Sequence, residues 1–153
     1  MIWTSGTGNK TSFYEIIQKI KSHHKNNGHV FVGTDSLINA GNCTFATSIV
    51  LLGADNQKGG LYFYKKEKYN EPTKFYTRIL REVEKSMNIA MSITDVCPNI
   101  NLEIHMDVSP EDKSEKTSKM AKMLLGYARG SGFKCKTKPE AFAASSVADK
   151  HTK

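Results

Sequence analysis

Between Leu102 and Val108 the chain alternates without a break. Leu102, Ile104, Met106 and Val108 are apolar, and Glu103, His105 and Asp107 stand between them. A period of two sends successive side chains to opposite faces, so this segment is a β-strand with one face against a core. Segments of helical period lie on both sides of it. A strand reached through a helix lies parallel to its sheet neighbour by a right-handed crossover. A chain with such a strand past its middle is an α/β protein.

The other elements follow from period and punctuation. Ser12-x-x-Glu15 forms a capping box ahead of Phe13, Ile16, Ile17 and Ile20, which recur at helical spacing until Lys25-Asn26-Asn27-Gly28. HVFVGTD (29–35), CTFATSIVLLG (43–53) and LYFYKKE (61–67) are β-branched or aromatic runs, the last two joined by the turn-rich DNQKGG. They predict an antiparallel meander. In Glu71-Pro72-Thr73 the threonine offers an N-cap to a long helix with Tyr76, Ile79, Leu80, Val83, Met87, Ala90 and Met91 on one stripe. That helix stops before Cys97-Pro98-Asn99. Ser109-Pro110-Glu111-Asp112 carries the signals of a helix start, and Met120, Met123, Leu124 and Tyr127 give its inward face as far as Gly130-Ser131-Gly132. FKCKTK (133–138) reads as a fifth strand, and Pro139 opens a last helix through EAFAASSVADKH. The order predicts a single domain over residues 1–153. Its five-stranded mixed sheet combines a three-strand antiparallel meander with two parallel strands, flanked by helices and preceded by an extra N-terminal helix.

Composition narrows the functional classes. No apolar run approaches the roughly 20 residues of a membrane-spanning helix, and MIWTSGTGNK lacks the apolar core of a secretory leader. Cys43, Cys97 and Cys135 are three, widely spaced and without CxxC, which disfavours disulfides and zinc and fits a reducing cytoplasm. The net charge of +7 is localised: residues 1–112 hold 12 basic and 12 acidic side chains, residues 113–153 hold 10 and 3. A basic region of this kind is either a solvated surface or a footprint for a polyanion. Arg129, Lys134, Lys136 and Lys138 are its candidates for phosphate contacts. Tyr62, Phe63 and Tyr64 are either base platforms or sheet packing. Ser5–Thr11 imitates a phosphate loop but has Asn9 before Lys10, Thr at position 4, and only four residues ahead of it.

Asp35 ends the first strand and Asp107 the fourth, the position at which α/β sheets place ligands. If those strands are parallel neighbours, the two carboxylates lie side by side, which requires a cation or a proton between them. An all-oxygen site favours Mg²⁺ or Mn²⁺. Glu82 or Glu84 on the long helix could add a third acid. Asp149 sits late in the last helix, where an anion opposes the helix dipole.

This order of elements, with VGTDS (32–36), EIHMDV (103–108) and KPEAFAASSVADKHTK (138–153), resembles the ribonuclease H-like superfamily, and within it the YkuK-like family. The resemblance implies a ribonuclease H-like fold and two Mg²⁺ or Mn²⁺ ions held by Asp35, Glu82, Asp107 and Asp149. In that superfamily the helix glutamate precedes a core apolar residue, as Glu82 precedes Val83. It further implies hydrolysis of phosphodiester bonds in RNA, RNA–DNA hybrid or structured DNA. His105 or His151 would take the place of the superfamily's mobile histidine. Two alternatives share the scaffold: a non-catalytic nucleic-acid-binding module, and an adaptor whose basic tail meets an acidic protein.

Overall fold

Strand β3 organises the sheet. The computed structural model describes residues 2–70 and 74–153. In chain order the elements are β1 (Trp3–Ser5), β2 (Lys10–Thr11), α1 (Phe13–Lys25), β3 (His29–Asn39), β4 (Asn42–Leu52), β5 (Leu61–Tyr69), α2 (Phe75–Val96), β6 (Leu102–Met106), α3 (Glu115–Gly130) and β7 (Lys134–Lys136). A π-helix, Ala143–Ala148, and a 3₁₀ turn, Asp149–His151, close the chain. The seven strands form one sheet in the order β2-β1-β5-β4-β3-β6-β7. β3, β4 and β5 are the expected antiparallel meander, and β6 joins β3 in parallel. β6 in turn pairs in parallel with β7.

The sheet therefore has seven strands among the described residues, not the five read from periodicity. The additional pair, β1 and β2, is a short hairpin added to the edge of β5 through Thr4 and Ser5. Strands of three and two residues are too short to display a period, and Trp3 is buried there at 2% exposure. β3 also runs four residues past Asp35. The helix α1 starts where the capping box predicts, with the Glu15 N–H donating to Ser12 Oγ at 3.1 Å. The Glu15 carboxylate accepts from the Thr11 hydroxyl instead of closing the reciprocal half of the box.

Three helix readings are corrected. Residues 109–112 form a turn, and α3 begins only at Glu115, capped by Ser114. Asp112 Oδ1 accepts from Ser114 N–H, so the first start signal serves the loop that leads to the second. On α2, Tyr76, Leu80 and Met91 are exposed, and the buried face is centred on Ile79, Glu82, Val83, Ser86, Met87 and Ala90. It is rotated toward polar partners on β3, where Thr34 and Ser86 hydroxyls meet at 2.7 Å. On α3, Met123 and Tyr127 are exposed, while Ala121, Leu124 and Ala128 pack inward. The Thr73 cap lies outside the described residues. Lys74 occupies the cap position with no side-chain hydrogen bond to the helix.

The side chains of β3 sort onto two faces. Val30, Val32 and Thr34 look toward α1 and α2, with Val30 and Val32 in the main apolar core. Phe31, Gly33 and Asp35 look toward the terminal segment, as Phe31–Phe142 ring packing at 5.0 Å shows. Gly33 is decisive. A Cβ placed there would lie 2.4 Å from Ala144 N and 2.6 Å from Ala143 C, both backbone atoms that cannot turn aside. The terminal helix thus rests directly on strand backbone. Two further contacts explain its winding. The Ala143 N–H donates to His105 Nδ1 at 3.1 Å, and the Ser48 hydroxyl donates to Ala143 O at 2.7 Å. With those groups bound to the sheet, the segment winds as one wide π turn rather than the regular helix expected from Pro139 onward.

Gly33→Ala is therefore expected to destabilise the protein by about 1–3 kcal/mol, the usual cost of forced overpacking. It should also displace Asp149. Urea denaturation measures the first effect. An unchanged midpoint would show that the terminal helix yields freely.

Candidate active site

Parallel pairing of β3 with β6 ends at Thr34↔Met106, so Asp35 and Asp107 are the next residues along and leave the sheet side by side. Both belong to the face that carries the terminal helix. Asp149, the first residue of the 3₁₀ turn, comes down onto the same place, within hydrogen-bonding reach of Asp35, as is Asp107. Burial, the contact with Asp149 and the charge of Asp107 together push the Asp35 carboxyl up to about 8. A shift in that direction favours the neutral carboxyl at neutral pH.

Glu82 reaches the same region from the other face. It is buried at 5% exposure and accepts a hydrogen bond from the Ser36 hydroxyl, which stands beside Asp35 in β3. Burial, and after it the charges of Asp35 and Asp107, raise its carboxyl well above the usual range, against the opposing effects of Ser36 and Arg78. Glu84, two positions away in sequence and about 200° round the helix, is exposed. Between the two glutamates only Glu82 faces the acids.

Asp107 carries the least satisfied oxygen. Its Oδ1 is buried and receives no hydrogen bond. The nearest cation, Lys138 Nζ, is 3.2 Å away, an ion pair whose angle is too poor to count as a donor. Lys138 is held there by its backbone N–H, which donates to Val108 O at 3.0 Å. The strand read over 133–138 is shorter than expected: β7 ends at Lys136, and Lys138 turns back to the acids. Lys134 and Lys136 pair with Glu103 and His105 in the edge register, and Lys136 also bonds Glu140 at 3.2 Å. Arg129 is on the last turn of α3, exposed and away from the carboxylates. Of the four basic candidates, only Lys138 touches an acid of the group.

The two histidines are clamps. His105 is 1% exposed, its Nδ1 holding Ala143 N–H and its Nε2 lying 3.3 Å from Glu103. His151 pairs with the Tyr62 hydroxyl at 2.9 Å and stacks on Tyr64 at 3.6 Å. Tyr62 and Tyr64 thereby fasten the 3₁₀ turn to β5, and Phe63 is core, so these rings are packing rather than base platforms. Gly33, Ser48, His105, His151 and the two tyrosines fix Asp149. Ser36 was not among the residues read from the sequence but was partly legible, since alternation carried past Asp35 puts it on the α2 face; Arg78 precedes Glu82 by one helical turn, the spacing at which the two can interact.

A family model, Ribonuclease H-like, matches residues 11–153. The chain belongs to the Ribonuclease H-like family. The match begins at Thr11, so β1 lies ahead of the segment that this ribonuclease H-like chain shares with its family. No curated protein and no solved structure matches the chain significantly. Among the described residues no helix is long and apolar enough to cross a membrane.

The family implies divalent cations, and the donor chemistry fits them. The acids offer only oxygen, as a hard cation prefers, and Asp107 Oδ1 is a buried acceptor without a donor. Among the described residues no group of three or more His, Cys, Asp or Glu side chains is placed to hold a metal ion. Lys138 pairs with Asp107 at 3.2 Å.

Proposed function

We propose that this acid-lined cleft hydrolyses phosphodiester bonds of nucleic acid (RNA, RNA–DNA hybrid or structured DNA) with Mg²⁺ or Mn²⁺. The supporting observation is that Asp35 has Asp107 and Asp149 within reach while Asp107 Oδ1 lacks any donor. Asp35, Asp107 and Asp149, with Glu82 across Ser36, would hold two ions. Bound there, such ions activate water and stabilise the leaving oxygen. The chain's own residues set the conditions. The proton on Asp35 must leave before its carboxylate can ligate. Lys138 can release Asp107 and turn its ammonium to a phosphate oxygen. Arg78 offsets the charge of Glu82 from the cleft wall.

A second reading, a nucleic-acid-binding module without catalysis, draws on the same proton and the same ion pair, which already balance the acids without metal. Labelled single-stranded, duplex, hybrid and junction substrates, incubated with Mn²⁺ or with EDTA, separate the two. Cleavage that requires Mn²⁺ supports the hydrolase. Binding to every substrate with no cleavage of any supports the module.

The basic edge gives a separate expectation. Lys134→Glu with Lys136→Glu should weaken binding to all sequences about equally, each lost phosphate contact removing about 0.7–0.9 from the slope of log K against log salt. The same reversal at Lys19, Lys21 and Lys25 of α1 should do much less. Equal losses from the two sets would mean that bulk charge alone matters.

A further inference from the structure

We propose that the cleft beside the carboxylates is a subsite for a single unpaired nucleotide, its base lying on the ring of Phe75 and its phosphate held by Arg78. This rests on the acid cleft being a nucleic-acid site. The cleft has a volume of about 330 Å³ and is bounded by α2 on one side and by the start of α3 on the other. That is room for one nucleotide, and a base pair would have to part to enter. Asp35, Asp107 and Glu82 line its depth, and Phe75 stands at its rim.

Phe75 has no place in the core. It opens α2 with 46% of its surface exposed; among the described residues its ring packs edge to face on the exposed Tyr76 at 5.4 Å and lies under the Arg78 guanidinium, 5.7 Å from the ring centroid. A large aromatic left open beside a polar cleft is a stacking surface, and stacking on it suits any base because every base has a π face. Arg78 supplies the second half. Its Nε is buried and has no hydrogen-bond acceptor among the described residues. An Nε–H that has given up water without gaining an acceptor is completed by an anion, and phosphate oxygens match the guanidinium fork. Lys138, on the opposite wall, presents the other cation. An apolar platform outside, two cations between and carboxylates within match the base, phosphate and scissile bond of one nucleotide. The substrate class this selects is single-stranded nucleic acid or a frayed end, rather than blunt duplex.

The test uses a phosphorothioate-linked single-stranded tetranucleotide carrying 2-aminopurine, with Mg²⁺ present, against a blunt hairpin of the same composition. Wild-type protein should quench the 2-aminopurine and bind the single strand at least tenfold more tightly than the hairpin. Phe75→Ala should lose the quench and weaken single-strand binding roughly tenfold or more, while Phe75→Trp keeps both. Arg78→Gln should weaken binding but retain the quench at saturation. Phe75 is exposed, so these variants keep the fold, and circular dichroism verifies that. Equal affinity for hairpin and single strand, or a quench that survives Phe75→Ala, overturns the subsite. Phe75-dependent quenching without cleavage of ordinary substrates would leave the subsite standing and remove the hydrolase reading. Cleavage indifferent to Phe75 would do the reverse.

Discussion

On the proposed hydrolase reading, replacing Asp35 or Asp107 by Asn should lower metal-dependent hydrolysis by roughly 10³-fold or more, the scale on which single members of a catalytic group act. The two residues leave adjacent parallel strands at equivalent positions, and neither amide can replace a carboxylate toward a hard cation. Metal-free stability should not suffer. At Asp35 burial and neighbouring acids push the carboxyl up to about 8, favouring its neutral form, so an amide of the same shape should be tolerated and ends the repulsion. Single-turnover cleavage with Mn²⁺ and thermal melting in EDTA measure the two effects side by side. Asn variants that melt far below wild type would mark these acids as structural. Variants that still cleave would remove them from the chemistry.

In EDTA the protein should lose stability as pH rises from about 5 to 8. The sign is opposite to that of a salt-bridged aspartate. The Asp35 carboxyl lies at about 8 in the folded chain against an ordinary value of 3.8, so between those values the native state binds the extra proton. Its contribution is complete below the lower value and disappears as pH climbs through the upper one. The slope approaches about 1.4 kcal/mol per pH unit for one such proton. Glu82, raised in the same direction by burial, steepens it. Asp35→Asn should flatten the curve, and Glu82→Gln should remove much of the remainder. Divalent metal reverses the trend, because ligation needs the ionised carboxylate. The rise in Tm given by Mn²⁺ should therefore grow with pH, and binding should release protons. Calorimetric titration in buffers of different ionisation enthalpy counts those protons. A pH profile identical in wild type and Asp35→Asn would mean that Asp35 is already ionised in the fold.

Both expectations depend on a group assembled from distant segments, and its parts differ in how visible they are in the chain. Asp35 and Asp107 stand out because each ends an apolar run, and strand ends are where a sheet presents side chains to a ligand. The order of helices and strands from Ser12 onward is equally plain, because a period of two or of three to four residues is a local property. The hairpin of Trp3–Ser5 and Lys10–Thr11 has no such signal, since its strands are shorter than any period can show. The start of α3 was misplaced because two valid start signals follow each other within six residues, and local chemistry does not rank them.

His105 shows where pattern stops. Alternation puts it on the same face as Glu103 and Asp107, which holds, but says nothing of whether that face is covered. The terminal helix covers it and turns the imidazole into a buried anchor. Lys138 is similar: period joins it to Lys134 and Lys136, while a backbone bond to Val108 takes it out of the strand and sets it against Asp107.

The amino-acid sequence alone determined the element order, the antiparallel meander, the parallel placing of β6, and the two aspartates at adjacent strand ends. These follow from interactions within a few residues and from the fixed handedness of crossovers. Only the tertiary structure decided that Glu82 rather than Glu84 faces the acids, that Asp149 arrives over Gly33, and that of Arg129, Lys134, Lys136 and Lys138 the last alone reaches them. Each of those choices turns on which of two local faces another segment covers, and that contact is made across as much as 114 residues of chain, between Asp35 and Asp149. Periodicity carries no information over such a distance. Close packing does, because a single missing Cβ at Gly33 determines how near the last helix can come.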